Sequence, residues 1–245
     1  MNPLLGLAQR AIKANVRLPG VGLVLKYQEG AFLIDLLARL RIDCLLDVGA
    51  NKGQYAKKVR RMGYAGHIVS FEPVPADYAV LQRAAARDAK WHVLNVALGS
   101  VDEQREFNVI GPPGVTVLSS FLEPIRGIMP KEVDSIPVQM RRFDTMLPEI
   151  EALTGPSAGM FLKMDTQGFD LEVCRGCGDA IGRMAGLQSE ISVKPLYENQ
   201  PHFTGALGYY ETLGFALMNL SLVSRTPLGA ILEYDCVMAR ESMLA

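Results

Sequence analysis

Apolar and polar positions change in a regular way along most of the chain. From residue 44, short apolar runs alternate with longer segments whose apolar residues recur at helical spacing. The apolar runs are "CLLDVG" (44–49), "GHIVSFEP" (66–73) and "WHVLNVALG" (91–99), and the helical segments are "GQYAKKVRRMG" (53–63) and "PADYAVLQRAAAR" (75–87). This order predicts βαβ units and a parallel sheet, with functional turns at the carboxyl ends of the strands.

The second half continues the alternation. It predicts a fourth strand in "MFLKMDTQG" (160–168), a helix in "LEVCRGCGDAIGRM" (171–184) and a fifth strand in "GLQSEIS" (186–192). After a helix in "GYYETLGF" (208–215), the strands "ALMNLSLV" (216–223) and "AILEYDCVMA" (230–239) predict an antiparallel hairpin at the sheet edge.

One stretch breaks this regularity. Residues 108–137 contain five prolines and no periodic pattern. A connection of this length in a compact domain is typical of a lid, a binding loop or an insertion. The following "VQMRRFDTML" (138–147) predicts a short strand leading into a helix.

The N-terminus differs in charge from the rest. Residues 1–28 carry four basic residues, and no acid precedes Glu29. Apolar residues at Leu4, Leu7, Ala8, Ala11 and Ile12 predict a basic amphipathic helix that "LPG" (18–20) ends. We expect it to pack on its own domain or on a second subunit of a homodimer, with peripheral membrane contact through residues 1–28 as the alternative. With a helix in "AFLIDLLARL" (31–40), residues 1–42 form a predicted N-terminal helical extension to a domain at 43–245.

Composition narrows the function classes. A net charge of −1 gives no global field for nucleic acid, so we expect no nucleic-acid partner. The sequence shows neither a signal peptide nor an apolar run of membrane-spanning length, which predicts a cytoplasmic location. Cys174 and Cys177 have C-x-x-C spacing inside a predicted helix, and Cys44 and Cys236 are isolated. Buried thiols are therefore favoured over a redox pair or a zinc site.

The turn in "LLDVGANKGQY" (45–55) predicts the kind of nucleotide. Gly49 and Gly53 have G-x-x-x-G spacing rather than the dinucleotide G-x-G-x-x-G, and no P-loop ending follows. Asp47 would repel a pyrophosphate. S-adenosylmethionine carries two cationic centres and no phosphate, so an acidic strand end suits it, by direct contact or by ordering the loop or a water.

A second acid follows at the end of the next strand. Glu72 in "SFEP" stands 23 residues after Gly49. A carboxylate there can accept both ribose hydroxyls of a nucleoside. The two strand ends together predict a nucleoside site, and Asp47 favours S-adenosylmethionine.

The segments "DVGANKGQY", "SFEP", "NVALGS", "FLKMDTQGFDLEVCRG" and "LQSEIS" resemble the FkbM family of class I S-adenosylmethionine-dependent methyltransferases, over roughly residues 44–240. Two positions depart from the family pattern: Gln167 and Asp170 stand where glutamates are usual. The resemblance implies a Rossmann-like α/β fold, a seven-stranded mostly parallel sheet with helices on both faces. It also implies methylation of a hydroxyl, often on a sugar of a glycan or glycolipid or on a polyketide product.

The resemblance also implies roles for individual residues. The methionine-side loop would comprise Asp47, Gly49, Asn51 and Gly53. Glu72 would hold the ribose, and Asn95, Val96 and Ala97 would line the adenine region.

Methyl transfer to an alcohol needs a base or a metal to help remove the proton. Lys163 and Asp165 lie two apart on the fourth strand and so face one side. Asp165 is a candidate base, metal ligand or cofactor contact. Lys163 would act as a base only with a strongly lowered pKa and otherwise positions Asp165.

Two further acceptor-side candidates follow. Glu190 is predicted to share a divalent metal with Asp165 or to bind sugar hydroxyls, and His202 to contact the acceptor or act as a base. Other classes remain open: an NAD-dependent oxidoreductase, which Asp47 disfavours, or a non-catalytic nucleoside-binding module, which Gln167 favours.

Overall fold

The computed structural model of the protein describes residues 21–111, 116–128, 133–156 and 159–244. The helix predicted over residues 4–12 lies outside these ranges. The homodimer and the membrane contact inferred from it therefore stay predictions, as does the division of the chain at residue 42.

Helices and strands alternate as the periodicity predicts. The helices are α1 Val21–Arg39, α2 Gln54–Arg61, α3 Pro75–Ala85, α4 Phe143–Thr154, α5 Asp170–Gly176 and α6 Phe203–Thr212, with 3₁₀ turns at Gly178–Arg183 and Glu241–Met243. The strands are β1 Cys44–Val48, β2 His67–Phe71, β3 Trp91–Leu94, β4 Ala97–Leu98, β5 Glu103–Ile110, β6 Val133–Arg141, β7 Met160–Met164, β8 Met184–Ser192, β9 Phe215–Arg225 and β10 Ile231–Arg240. The helix predicted at 171–184 is divided into α5 and the first 3₁₀ turn.

The main sheet has seven strands in the order β3-β2-β1-β7-β8-β10-β9. Strands β3, β2, β1, β7 and β8 run parallel, and β10 lies antiparallel to both β8 and β9. This confirms the predicted Rossmann-like fold and its C-terminal hairpin. The later strand, β10, lies inside the sheet, and β9 forms the edge.

The register brings the functional turns together. Val48 at the end of β1 lies beside Phe71 of β2 and Met164 of β7. The next residues along each strand therefore emerge at one edge of the sheet. Gly49, Glu72 and Asp165 occupy that edge.

Each face of the sheet has its own core. On one face α1 packs through Leu36 and Leu37 with side chains from the sheet such as Phe161 and Val237. On the other face Phe143, Val173 and Tyr210, from α4, α5 and α6, pack on the strands. Helix α1 thus shares the core of the domain that follows it.

Residues 97–141 form a second, smaller sheet that the sequence did not predict. The predicted strand at 91–99 is two strands: β3 joins the main sheet, whereas β4 pairs with β6. The stretch expected to be irregular begins and ends in strands, because β5 and β6 pair antiparallel from Glu103↔Met140 to Ile110↔Val133. The insertion is therefore a three-stranded sheet in the order β4-β6-β5, and residues 116–121 of the connection between β5 and β6 lie at the functional edge.

The four cysteines are all buried and unpaired, as predicted. Burial raises the pKa of Cys44, Cys177 and Cys236 to about 12. Among the described residues, no helix combines the length and apolar character needed to cross a membrane.

Candidate functional site

A cavity of about 360 Å³ opens at the carboxyl ends of β1, β2 and β7. Its lining comes from the β1–α2 turn, the end of β2, the start of the β7–α5 turn and the inserted sheet. This volume lies in the range of small-molecule sites.

The β1–α2 turn is shaped by two glycines with positive φ. Gly49 has φ +72°, and a Cβ there would lie 2.1 Å from the backbone oxygen of Asp165. Gly53 has φ +79°, and a Cβ there would lie within 3 Å of Trp91 and Leu81. Gly49 lines the cavity, whereas Gly53 lies beneath the turn and keeps it close to α3 and β3.

Glu72 lines the cavity and is 4% exposed. Its two oxygens accept backbone N–H groups from Asn51 at 2.7 Å and Val74 at 2.8 Å. Burial raises the pKa of Glu72 to about 7, against these hydrogen bonds. A carboxylate has about four acceptor positions, so two remain for a ligand's hydroxyls.

Asp47 lies behind this lining, which leaves ordering of the loop rather than direct contact as its predicted role. It is fully buried, with Oδ1 3.1 Å from Nζ of Lys163 and Oδ2 accepting from Ser70 at 3.1 Å. Its charge is therefore balanced inside the protein. Asp47 supports the turn rather than touching a ligand.

Lys163 is not suited to act as a base. Burial alone would lower its pKa, but the carboxylates of Asp47 and Asp165 outweigh burial and raise it. The ammonium also lies 3.8 Å from Asp165 and 5.0 Å from the ring centre of Tyr55. Lys163 therefore holds its proton and positions its neighbours.

Asp165 is the carboxylate that faces the cavity. Its side chain is 40% exposed, and Oδ1 accepts from Nε2 of Gln167 at 3.0 Å. The turn that follows β7 is capped by another residue, Asp170, which accepts from the backbone N–H of Thr166 at 3.0 Å and from Ser189 at 2.6 Å. Asp165 therefore does not cap this turn.

The inserted sheet forms the far wall of the cavity. Phe107 and Phe121 line it, with ring centres 4.9 Å apart, and Phe121 lies 4.9 Å from Phe169. Thr116 is hydrogen-bonded to the buried carboxylate of Asp77 and accepts from Nδ2 of Asn51 at 2.8 Å. Asn51 thereby links the cofactor-side turn to the insertion.

The predicted adenine residues are divided. Ala97 lines the cavity beside Leu98. Asn95 is exposed, and its amide donates to the backbone oxygens of Glu72 at 2.8 Å and Pro73 at 3.1 Å. Asn95 therefore fixes the end of β2 instead of lining the cavity, and Val96 packs towards the core.

The acceptor-side candidates lie beyond the cavity lining. His202 is exposed at the start of α6, where its ring contacts Thr204 at 2.8 Å, and so it does not join Asp165. Burial, together with the charges of Asp165 and Glu233, raises the pKa of Glu190 to about 10, which favours its protonated form. Within the described part of the chain, no group of three or more His, Cys, Asp or Glu side chains is arranged to hold a metal.

Several lining residues were not assigned a role from the sequence. They are Val74, Leu98, Phe107, Thr116, Val117, Phe121, Gln167 and Phe169. Alternation in "EFNVI" (106–110) is a weak signal for β5. The contacts of its residues with 116–121 and 169 depend on tertiary pairing.

A Rossmann-like sheet with a glycine turn and a buried strand-end glutamate defines a nucleoside-binding α/β protein. The sequence also matches the family described as the methyltransferase FkbM domain over residues 47–217. The chain therefore belongs to that family, and its α/β domain is a methyltransferase domain, as the resemblance implied.

Solved structures with a similar chain path include two methyltransferases and a fibrillarin. Magnesium protoporphyrin IX methyltransferase from Synechocystis PCC 6803, with bound SAM, is 10% identical with a TM-score of 0.49, and the match covers 95% of this chain and 83% of that one. Fibrillarin from Aeropyrum pernix is 11% identical with a TM-score of 0.45, and the match covers 80% of this chain and 66% of that one. Precorrin-6y C5,15-methyltransferase from Geobacter metallireducens is 11% identical with a TM-score of 0.44, and the match covers 86% of this chain and 87% of that one. A comparison with curated protein sequences found no match.

Proposed function

We propose that the protein is an S-adenosylmethionine-dependent O-methyltransferase whose acceptor is a hydroxyl of a small molecule or glycan. The observation that carries the proposal is that Glu72 and Asp165 both line the cavity at the carboxyl ends of the strands. Glu72 offers acceptor positions for a ribose, and Asp165 offers an exposed carboxylate where the strand ends.

The cavity suits this cofactor chemically. Val74, Ala97 and Phe107 offer an apolar wall for a base, and the Gly49 backbone lines the cavity in close contact with the backbone of Asp165. The charge of Lys163 is balanced by Asp47, so the carboxylates of Glu72 and Asp165 favour a cationic ligand. When bound, S-adenosylmethionine supplies an activated methyl group on a sulfonium.

Asp165 is the proposed base for the acceptor. An alcohol gains nucleophilicity as its proton is removed, and a carboxylate within hydrogen-bond reach can accept that proton. The Lys163 ammonium and the Gln167 amide fix the orientation of the carboxylate. Holding the acceptor in line with the methyl group accounts for much of the acceleration.

Calorimetry tests the cofactor proposal directly. We expect S-adenosylmethionine and S-adenosylhomocysteine to bind, NAD to bind much more weakly, and Glu72→Ala to weaken binding by about 10-fold or more. Asp165→Asn should retain binding within about threefold. The exposed Glu198→Gln is the matched control. Absence of binding by both adenosyl ligands would remove the proposal.

The site of methylation needs a separate assay. Radiolabelled methyl transfer to pooled sugars, glycolipids and polyketides should give an alkali-stable product, because an ether survives conditions that hydrolyse a methyl ester. Asp165→Asn should lower turnover by about 100-fold or more. A product labelled only at carboxyl or amino groups would contradict O-methylation.

A further inference from the structure

Gln167 occupies an unusual position between three segments of the protein. It follows the β7 strand end, lines the cavity and has φ +52°, in the left-handed region that non-glycine residues rarely adopt. Such conformations persist only when the surrounding contacts hold them, and they concentrate at functional sites. Hydrogen bonds at three polar atoms of Gln167 hold the residue in this conformation.

The two ends of the side-chain amide have different partners. Nε2 donates to Asp165 Oδ1 at 3.0 Å. The single hydroxyl proton of Tyr197 is shared between two acceptors, the backbone oxygen of Leu118 at 2.6 Å and Oε1 of Gln167 at 3.1 Å. Because an amide combines a donor and an acceptor, this residue type fits both neighbours at once.

The backbone of Gln167 is also hydrogen-bonded to the loop that contains Leu118. Its carbonyl oxygen accepts from Ser120 at 2.9 Å. Tyr197 is fully buried, and its segment pairs with the insertion through Glu198 N–H to Glu123 O at 2.8 Å. Gln167 therefore contacts both the loop that covers the cavity and the Asp165 carboxylate that faces the cavity.

We propose that Gln167 is a positioning residue, which aims the Asp165 carboxylate into the cavity and couples its orientation to closure of the 116–125 loop through Tyr197. This inference rests on the proposed function for the meaning of Asp165 as a base. The coupling itself is a property of the free protein and is measured without cofactor.

The first test replaces the donor at position 167 by an acceptor, and then the acceptor at position 165 by a donor. In Gln167→Glu a carboxylate replaces the donor 3.0 Å from Asp165, and the two like charges repel. We expect the unfolding constant to rise about tenfold at pH 8 in urea titrations. In the double variant Asp165→Asn/Gln167→Glu, the new Asn amide can donate to the new carboxylate, and the constant should return to within about threefold of wild type.

The pH profile separates this contact from a general structural role. The cost of Gln167→Glu should shrink between pH 8 and pH 5, as one carboxylate of the pair takes up a proton. The other titratable groups near Asp165 or its neighbours include Lys163, Asp47, Glu190, Glu233, Asp235, Asp170 and Lys58. Within each background, wild type or Asp165→Asn, they are the same with and without Gln167→Glu, so comparing the two costs isolates the contact between positions 165 and 167. An equal cost of Gln167→Glu in both backgrounds would overturn the proposal.

The second test addresses the loop by hydrogen exchange. Gln167→Ala and Tyr197→Phe should each speed exchange of amides in 116–125 by about tenfold, and the double variant should add little. Gln167→Glu keeps an oxygen for Tyr197 but repels Asp165, so coupling predicts faster exchange than in wild type and slower exchange than in Gln167→Ala. Unchanged exchange in Gln167→Glu or in Gln167→Ala would contradict the coupling. A protein that fails to bind S-adenosylmethionine would refute the proposed function and leave both tests valid.

Discussion

Residue identity at the strand ends sets the charge of the cavity. Two buried acids, Asp47 and Glu72, end adjacent strands, yet their surroundings give them different tasks. The Lys163 ammonium lies 3.1 Å from Asp47, whereas both oxygens of Glu72 accept backbone N–H groups. Burial raises the pKa of Glu72 to about 7, so this carboxylate of the cavity titrates near neutral pH.

Cofactor binding should depend on pH through Glu72. With a pKa of about 7, its carboxylate is mostly ionised at pH 8 and mostly protonated at pH 6. Because the ionised form accepts ribose hydroxyls, the Kd of S-adenosylmethionine should be about tenfold larger at pH 6 than at pH 8. Calorimetry at both values checks this. Glu72→Gln is the control, because any change in its Kd with pH comes from titration of the ligand or of other groups. If the Kd changes equally with pH in this variant and in the wild type, the prediction is refuted.

The same group should affect stability with the opposite sign. The pKa of Glu72 rises from 4.5 to about 7 on folding, so its stabilising contribution is full below pH 4.5 and is lost as pH rises through 7. At pH 8, Glu72→Gln should therefore raise the free energy of unfolding by roughly 1–3 kcal/mol, after loss of one backbone hydrogen bond. Urea titrations at pH 5 and pH 8 measure this, and a larger gain at pH 5 would contradict it.

Removing one partner of the buried ion pair is expected to destabilise the fold. Lys163→Met leaves Asp47 buried without its counter-charge, which typically costs roughly 3–5 kcal/mol of unfolding free energy. Asp47→Asn/Lys163→Met removes both charges and should recover much of that loss in urea titrations. Lys58→Met, at an exposed lysine beside the cavity, is the matched control. A double variant no more stable than Lys163→Met would contradict this account.

At the scale of elements, the β4-β6-β5 sheet changes an open edge into a cavity. Phe107 belongs to β5, and Thr116 and Phe121 lie on the connection that follows it. Asn51 and Asp77 fasten Thr116 to the turn and helix on the cofactor side. The insertion is thus tied to the groups proposed to hold the nucleoside.

Releasing this contact should weaken cofactor binding without unfolding the protein. Thr116→Val keeps the shape of the side chain but loses its hydrogen bonds to Asp77 and Asn51. We expect the Kd of S-adenosylmethionine to rise about 3–10-fold, equivalent to one net hydrogen bond. Thr204→Val, at an exposed threonine on α6, serves as the control in the same calorimetric series. Equal affinities in both variants would show that this anchor does not support the site.

At the scale of the whole molecule, two cores enclose the sheet and bury every thiol. Because a buried thiol with a raised pKa has little thiolate, it reacts slowly. The native protein should therefore show no fast reaction with a thiol reagent at pH 8, and all four cysteines should react in concentrated urea. Fast labelling of Cys174 or Cys177 in the native protein would point to an open C-x-x-C pair.

The sequence by itself determined the order of strands and helices, the glycine turn and the acids at the strand ends. Each of these depends on local periodicity or on the backbone freedom of glycine, and parallel strands necessarily bring such ends to one edge. The family pattern added the methyltransferase class. The candidates Asp165, Glu72 and Gly49, which all line the cavity, were predicted in this way.

Tertiary structure alone decided which acids face the cavity. Asp47 lies beside Ser70 and Lys163 in the strand register, so its charge is balanced within the sheet, and alternation along one strand carries no information about that neighbour. The far wall of the cavity likewise joins residues near 51, 77, 116 and 167. Such contacts arise from chain pairing at long sequence separation, which no local pattern encodes.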